Sequence, residues 1–153
     1  MNKQFLDILY NLSHELGLTL YPDSNDACKL HLSNQHYVQL EMDRAEEHIN
    51  AVCKIIEIPL GKFKENVLKH ALVANYNLTP FEPCLSYVQK NNTLTLYQKI
   101  PLKHLNPSQL VDSIVKMGLK AQDWKQAIES GRPGPNVIKT MPQSSPPLGS
   151  NIR

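Results

Sequence analysis

Long hydrophobic runs are missing from this 153-residue chain. A membrane-spanning helix needs about 18 or more consecutive apolar residues, and no stretch comes near that, so no membrane insertion is expected. The N-terminus is amphipathic, without the continuous apolar core and small-residue cleavage site of a secretory leader. Glycine is scarce, with six in all, three of them from Gly131 onward. That excludes a glycine-rich loop cradling phosphate, and no G-x-S-x-G turn is present to raise a serine nucleophile. Cysteine is limited to Cys28, Cys53 and Cys84, an odd number without a close pair, each beside apolar residues. Such thiols behave as small hydrophobes, and a reducing cytoplasm suits them best.

Acidic residues are absent from position 131 onward, where Arg132, Lys139 and Arg153 stand alone. Residues 1–130 hold 13 Lys/Arg and 14 Asp/Glu, so the formal charge of +2 belongs to the tail and not to the body. No concentrated basic face exists, because Glu65 interrupts Lys62, Lys64 and Lys69; nucleic-acid binding lacks the cations it requires. The six histidines are scattered, with no H-E-x-x-H or C-x-x-C, and neither metal nor cofactor is expected. His31 and His36 could approach across a hairpin, but two solvated strand histidines are the simpler reading. Glu46-Glu47 reads as a solvated turn, with nothing apolar nearby to split two carboxylate pKa values.

What is present is periodicity. Residues 61–76 read as a helix with two apolar stripes: Phe63, Val67, Ala71 and Ala74, and then Leu68, Leu72 and Tyr76. One stripe suffices to lie on a sheet; a helix apolar most of the way round needs cover on two sides. Before it come an amphipathic helix, Asn2 to Leu16, stopped by Gly17, and three strand-like runs. Cys28–Leu32 and Val38–Met42 alternate as half-exposed strands, whereas His48–Ile58 has apolar residues at both parities and is expected to be covered on both faces. After it come Pro80 and Pro83, a hairpin around Asn91-Asn92, and a helix opened by Asn106-Pro107. That last helix carries a continuous seam of Leu110, Ile114, Met117, Ala121, Trp124 and Ile128. The order α-β-β-β-α-β-β-α leaves no room for parallel crossovers, so the expected class is α+β, an antiparallel sheet with three helices laid against it. Residues 1–130 form the expected domain, and residues 131–153, rich in Pro, Gly and Ser, read as a flexible basic tail.

Leu68-Lys-His-Ala-Leu72-Val-Ala-Asn75, then a hairpin, then Pro101-Leu-Lys-His-Leu105 and a long helix ending Ala121-Gln-Asp-Trp124 together resemble the Tir-chaperone (CesT-like) family. These are class I type III secretion chaperones, and the resemblance is close enough to suggest a chlamydial multi-cargo member. The resemblance covers roughly residues 1–130. It implies a homodimer in the bacterial cytoplasm that is not an enzyme. Such a protein binds the extended N-terminal segment of secreted effector proteins, keeps it export-competent and delivers it to the secretion ATPase. It also implies a dimer contact through the central helix and following hairpin, with cargo wound around the outside and often added to the sheet as a strand. The chain departs from the family in its near-neutral body and in a 77–83 segment with two prolines and no glycine.

The candidate dimer residues are therefore Val67, Leu68, Leu72, Tyr76, Leu85 and Tyr87. The candidate cargo-binding residues are Leu6, Leu9, Tyr10, Leu30, Val38 and Leu40, with strand edges expected at Cys28–Leu32 and Tyr37–Met42. Two other readings stand beside the chaperone: a dimeric adaptor of the same fold that takes a folded partner, and an enzyme whose site is assembled only by folding.

Overall fold

The computed structural model describes residues 2–33 and 35–135. Helix α1 spans Lys3–Leu16, α2 Lys62–Tyr76 and α3 Pro107–Glu129; the strands are β1 Ala27–His31, β2 Tyr37–Met42, β3 His48–Glu57, β4 Cys84–Val88 and β5 Thr93–Pro101. The order is the expected α-β-β-β-α-β-β-α. All strand pairs are antiparallel, and the sheet order is β1-β2-β3-β5-β4. The edges of the sheet are therefore β1 and β4.

Local chemistry sets the helix ends. Asn2 Oδ1 accepts the Phe5 N–H at 2.9 Å, and Gly17 closes α1 in the left-handed region at φ 66°. Asn106 and Gln109 form a reciprocal capping box at the start of α3, with Pro107 in the first turn, where its missing N–H costs nothing. Helix α2 has no side-chain cap at Gly61 and depends on packing.

The core lies on one face of the sheet. Leu30, Val38, Leu40, Ala51, Cys53 and Leu96 point to it and join Phe5, Leu9 and Leu12 of α1, Val67 and Ala71 of α2, and the whole seam of α3 from Leu110 to Ile128. The opposite face carries Lys29, His31, Gln39, Glu41, Asn50, Lys54, Tyr97 and Lys99, by the strict alternation of the paired strands.

Strand β3 corrects one expectation. Its apolar residues at both parities do not mark a strand covered on both faces. The β3–β5 register steps from Lys54↔Thr95 to Ile56↔Leu94, leaving Ile55 as an extra residue. Such a bulge puts the alternation out of step, so Ile56 and Ile58 fall on the face that Ala51 and Cys53 occupy before it. Only Val52 remains on the polar face, half-buried.

His36 is also not the solvated residue expected. It is buried, while the exposed His31 lies against the Tyr37 ring at 5.8 Å between centroids.

The chain beyond α3 continues to pack. Gly131, at φ 86°, lets the Arg132 N–H return to the Ala127 carbonyl at 2.9 Å. Gly134 is buried against α2 and α3, and the Pro135 carbonyl accepts from His70 Nε2 at 2.7 Å. The expected tail at 131–153 is thus held to the domain over 131–135, and its remainder, 136–153, lies outside the described residues.

Candidate functional site

The two sheet edges differ in what they leave open. On β1, the Leu32 N–H donates to the His36 carbonyl at 2.8 Å, and this bonded pair sets the phase of the ladder. Cys28 and Leu30 point their backbone groups at β2, and Ala27, Lys29 and His31 point theirs outward. The Ala27 groups are taken by Asp23, whose N–H donates to the Ala27 carbonyl at 2.7 Å and whose Oδ1 accepts the Ala27 N–H at 3.1 Å. Lys29 and His31 remain, with two N–H and two C=O groups facing outward and no bond to another described residue.

On β4 the outward positions are Tyr87, whose backbone groups no described residue bonds, and Leu85. Its N–H donates to Asn75 Oδ1 at 2.8 Å, and its carbonyl accepts from Asn75 Nδ2 at 2.8 Å. One amide side chain on α2 thus does what a neighbouring strand would do, and it closes the edge at that point. Asn75 stood in the sequence only as part of a family resemblance; the partner ten residues on is set by how α2 lies on β4.

Beside this clamp is a shallow groove of about 240 Å³ lined by Leu68, Ala71, Leu72, Leu85, Tyr87 and Leu94. It settles the two stripes of α2. Phe63, Val67, Ala71 and Ala74 face the domain's own core, with Val67 fully buried. Leu68 is half-buried at the groove, and Leu72 and Tyr76 are 69% and 84% exposed. Of the six expected interface residues, Val67 is therefore corrected to core, because it lies on the sheet-facing stripe. Leu85 is buried at 5% exposure and forms groove wall, not free surface. Tyr87 is half-buried, its ring under the Lys64 ammonium at 4.8 Å and its hydroxyl donating to Asn92 Oδ1 at 2.8 Å.

The expected cargo residues divide more sharply. Leu9, Leu30, Val38 and Leu40 are at most 1% exposed and belong to the core, since each sits on the face turned toward the helices. Leu6 is half-buried, and Tyr10 is 66% exposed. Strand β2, expected as a free edge, is internal and has its backbone bonded on both sides.

A second, larger concavity of about 840 Å³ lies between the 79–83 loop, the end of β5 and the first half of α3. Gln98 Nε2 donates to the Phe81 carbonyl at 3.1 Å, and Lys120 Nζ donates to the Pro83 carbonyl at 2.9 Å, which pins the loop from below. Burial holds the Lys120 pKa below the usual lysine value, against the pull of the Glu82 charge. The alternative reading, an enzyme whose site is assembled by folding, would need clustered titrating groups. Among the described residues no group of three His, Cys, Asp or Glu gathers as a metal centre would require, and burial pushes the Cys53 thiol up to about 11. No helix among them is long and apolar enough to cross a membrane.

Fold and surfaces define the class: a two-layer α+β domain with an open β1 edge, a β4 edge clamped at Leu85 and one exposed helix stripe. The model of the Tir chaperone protein (CesT) family matches residues 7–125, and the chain belongs to that family. Comparison with curated protein sequences found no match. Among solved structures, a chain of the HopA1–SchA chaperone–effector complex superposes with a TM-score of 0.66 at 21% identity, covering 83% of this chain and 99% of that one. A chain of the ExsC–ExsE complex gives 0.69 at 14% identity, covering 84% and 96%. A chain of the heterodimeric ExoU–SpcU complex from the type III secretion system of Pseudomonas aeruginosa gives 0.62 at 19% identity, covering 80% and 98%. These likenesses establish a type III secretion chaperone fold.

Proposed function

We propose that this protein is a type III secretion chaperone, not an enzyme, that works in the bacterial cytoplasm. As a homodimer it binds the extended N-terminal segment of effector proteins and presents them to the secretion ATPase. The observation that carries the reading is the asymmetry of the sheet edges: β1 offers the backbone groups of both Lys29 and His31, while Asn75 blocks β4 at Leu85 and leaves Tyr87 alone outward. An added strand takes its affinity from main-chain bonds that are largely indifferent to sequence, which suits several cargoes.

Magnitudes limit what the edge can do alone. Four backbone hydrogen bonds at about 1 kcal/mol net each supply about 4 kcal/mol, whereas micromolar binding needs about 8. The remainder has to come from apolar side chains of the cargo docked elsewhere, with Leu6 and Tyr10 of α1 as candidate contacts. A cargo that is long, extended and wrapped follows from that deficit. The exposed Leu72 and Tyr76, flanking the α2 groove, are the surface proposed for the second subunit, and residues 1–135 are proposed as the folded unit.

The test is co-expression with the N-terminal segment of a secreted effector, followed by hydrogen exchange and light scattering. Binding should slow exchange at the Lys29 and His31 amides, leave the cargo protease-sensitive and preserve a dimer. A strictly monomeric protein, or a bound partner that keeps its own cooperative melting transition, would overturn the reading.

A further inference from the structure

The cleft between the 79–83 loop and α3 shares no lining residue with the α2 groove and plays no part in the edge chemistry of β1. Its charge is unlike that of the body, which is near neutral. Lys99, Lys103, Lys116 and Lys120 line it, against the carboxylates of Glu82 and Asp112. Several of these charges are already engaged. Glu82 Oε1 accepts the Thr79 N–H at 2.8 Å, and Lys99 Nζ stands 4.0 Å from the Asp43 carboxylate. Lys103 and Lys116 form no ion pair with any described residue, even though Asp112 lies one turn from Lys116 on α3. Lys120, fixed to the Pro83 carbonyl, has further N–H groups to give. Four lysines against two carboxylates leave the lining positive by two formal charges, or by one once Lys99 is set against Asp43.

The cleft also has an apolar element. Phe81 is 75% exposed and borders it, held there because its own carbonyl is bonded to the buried Gln98 side chain. Such an aromatic ring on a pinned loop, beside uncompensated ammonium groups, is organised before any ligand arrives, which lowers the cost of ordering on binding.

We propose that this cleft is a second polypeptide-binding site, which takes a short acidic segment of a partner protein carrying an aromatic or aliphatic side chain. The carboxylates meet Lys103, Lys116 and Lys120, and the apolar side chain covers Phe81. Its volume of about 840 Å³ is in the range of ligand-sized clefts. The chain's own tail is the wrong occupant, since residues 131–153 contain three basic side chains and no acid.

The test uses the full chain and a labelled ten-residue peptide of alternating glutamate and phenylalanine, read by fluorescence anisotropy. A glutamine-for-glutamate peptide and inorganic phosphate serve as competitors. The acidic peptide should bind at least about tenfold tighter than its glutamine counterpart and weaken as salt rises from about 0.05 to about 0.5 M. The K103E/K116E double variant, at exposed positions, should lose at least about tenfold, and Phe81→Ser should weaken binding at unchanged salt dependence. Lys90→Glu, outside the cleft, should change nothing. K103Q/K116Q serves as the milder pair, and far-UV circular dichroism checks the fold of each variant.

Equal binding of the glutamine peptide, an equal loss in Lys90→Glu, or full displacement by millimolar phosphate would each overturn the proposal. So would a peptide that competes only with self-association, because the occupant would then be a second copy. Effector binding at β1 is read separately, by exchange at Lys29 and His31, so failure here leaves the chaperone reading standing.

Discussion

Asn75 is the residue whose role depends most on its position. Its two bonds to Leu85 replace what a strand would provide, and water can reach only part of the site because Asn75 and its surroundings are partly buried. Asn75→Ala should cost about 1–3 kcal/mol, the range for an unsatisfied backbone pair, read as a lower midpoint in urea denaturation. The cysteines give a second check at this scale. Burial raises the pKa of Cys53 to about 11 and also raises that of Cys28, with the Asp23 charge assisting. Cys84 is only half-buried. A thiol-disulfide reagent at pH 8 should therefore label Cys84 in the native protein and reach Cys28 and Cys53 only after unfolding.

At the scale of elements, what was legible in the sequence and what was not separate on physical grounds. Helix α3 could be read from end to end because its signals are local: Asn106-Pro107 at the start, a six-residue seam along one face, and Gly131 after it. The seam residues are all buried. The order of elements was legible for the same reason. The bulge at Ile55 was not, because a bulge is a property of two strands in register, and alternation alone mistook it for a strand with two covered faces. The exchange of β2 for an internal strand has the same origin, since edge status depends on which strands pair. Four residues assigned to cargo, Leu9, Leu30, Val38 and Leu40, went to the core because an apolar side chain in an amphipathic stretch reads identically whether it meets its own sheet or a partner.

Two elements carry predictions. Along β1 the outward N–H of His31 takes no part in the ladder, so proline there removes a donor without breaking the sheet. His31→Pro should leave the melting temperature within a few degrees while weakening cargo binding, measured by titration calorimetry. In the segment after α3, a methyl group on Gly134 would lie 2.5 Å from the His70 ring and 2.7 Å from the Trp124 ring. The His70 proton sits on Nε2, because the Pro135 carbonyl can only accept. Gly134→Val should lift residues 131–135 at a cost of about 1–3 kcal/mol. Trp124 is the only tryptophan in the chain and is 2% exposed, so a red shift of its emission reports the release directly.

For the molecule as a whole, α2 and its exposed stripe are the proposed contact with a second subunit. In the proposed dimer Leu72→Asp would bury an unpaired charge, which costs several kcal/mol unless the interface opens. Because Leu72 is 69% exposed in the single chain, the variant should fold normally and run as a monomer in light scattering at micromolar concentration. An unchanged dimer would put Leu72 outside the contact.

The Asn75 clamp has a consequence for assembly that can be put in the polymer chemist's sense of functionality. A subunit whose β4 edge is interrupted at Leu85, with Tyr87 alone left outward, pairs with other strands mainly through β1; it is then close to univalent, and edge-to-edge pairing stops at two. In the proposed dimer, joined through α2, two such subunits would make a divalent unit, able to extend only in a line, with each bound cargo acting as a chain terminator. Releasing β4 at Leu85 doubles the number of reactive ends per subunit, and the same dimer becomes tetravalent. Four ends are enough to branch. The empty Asn75→Ala protein should then pass from soluble oligomers to a network at a concentration where the parent chain stays dispersed, and saturating cargo on β1 should return it to linear growth through β4 alone.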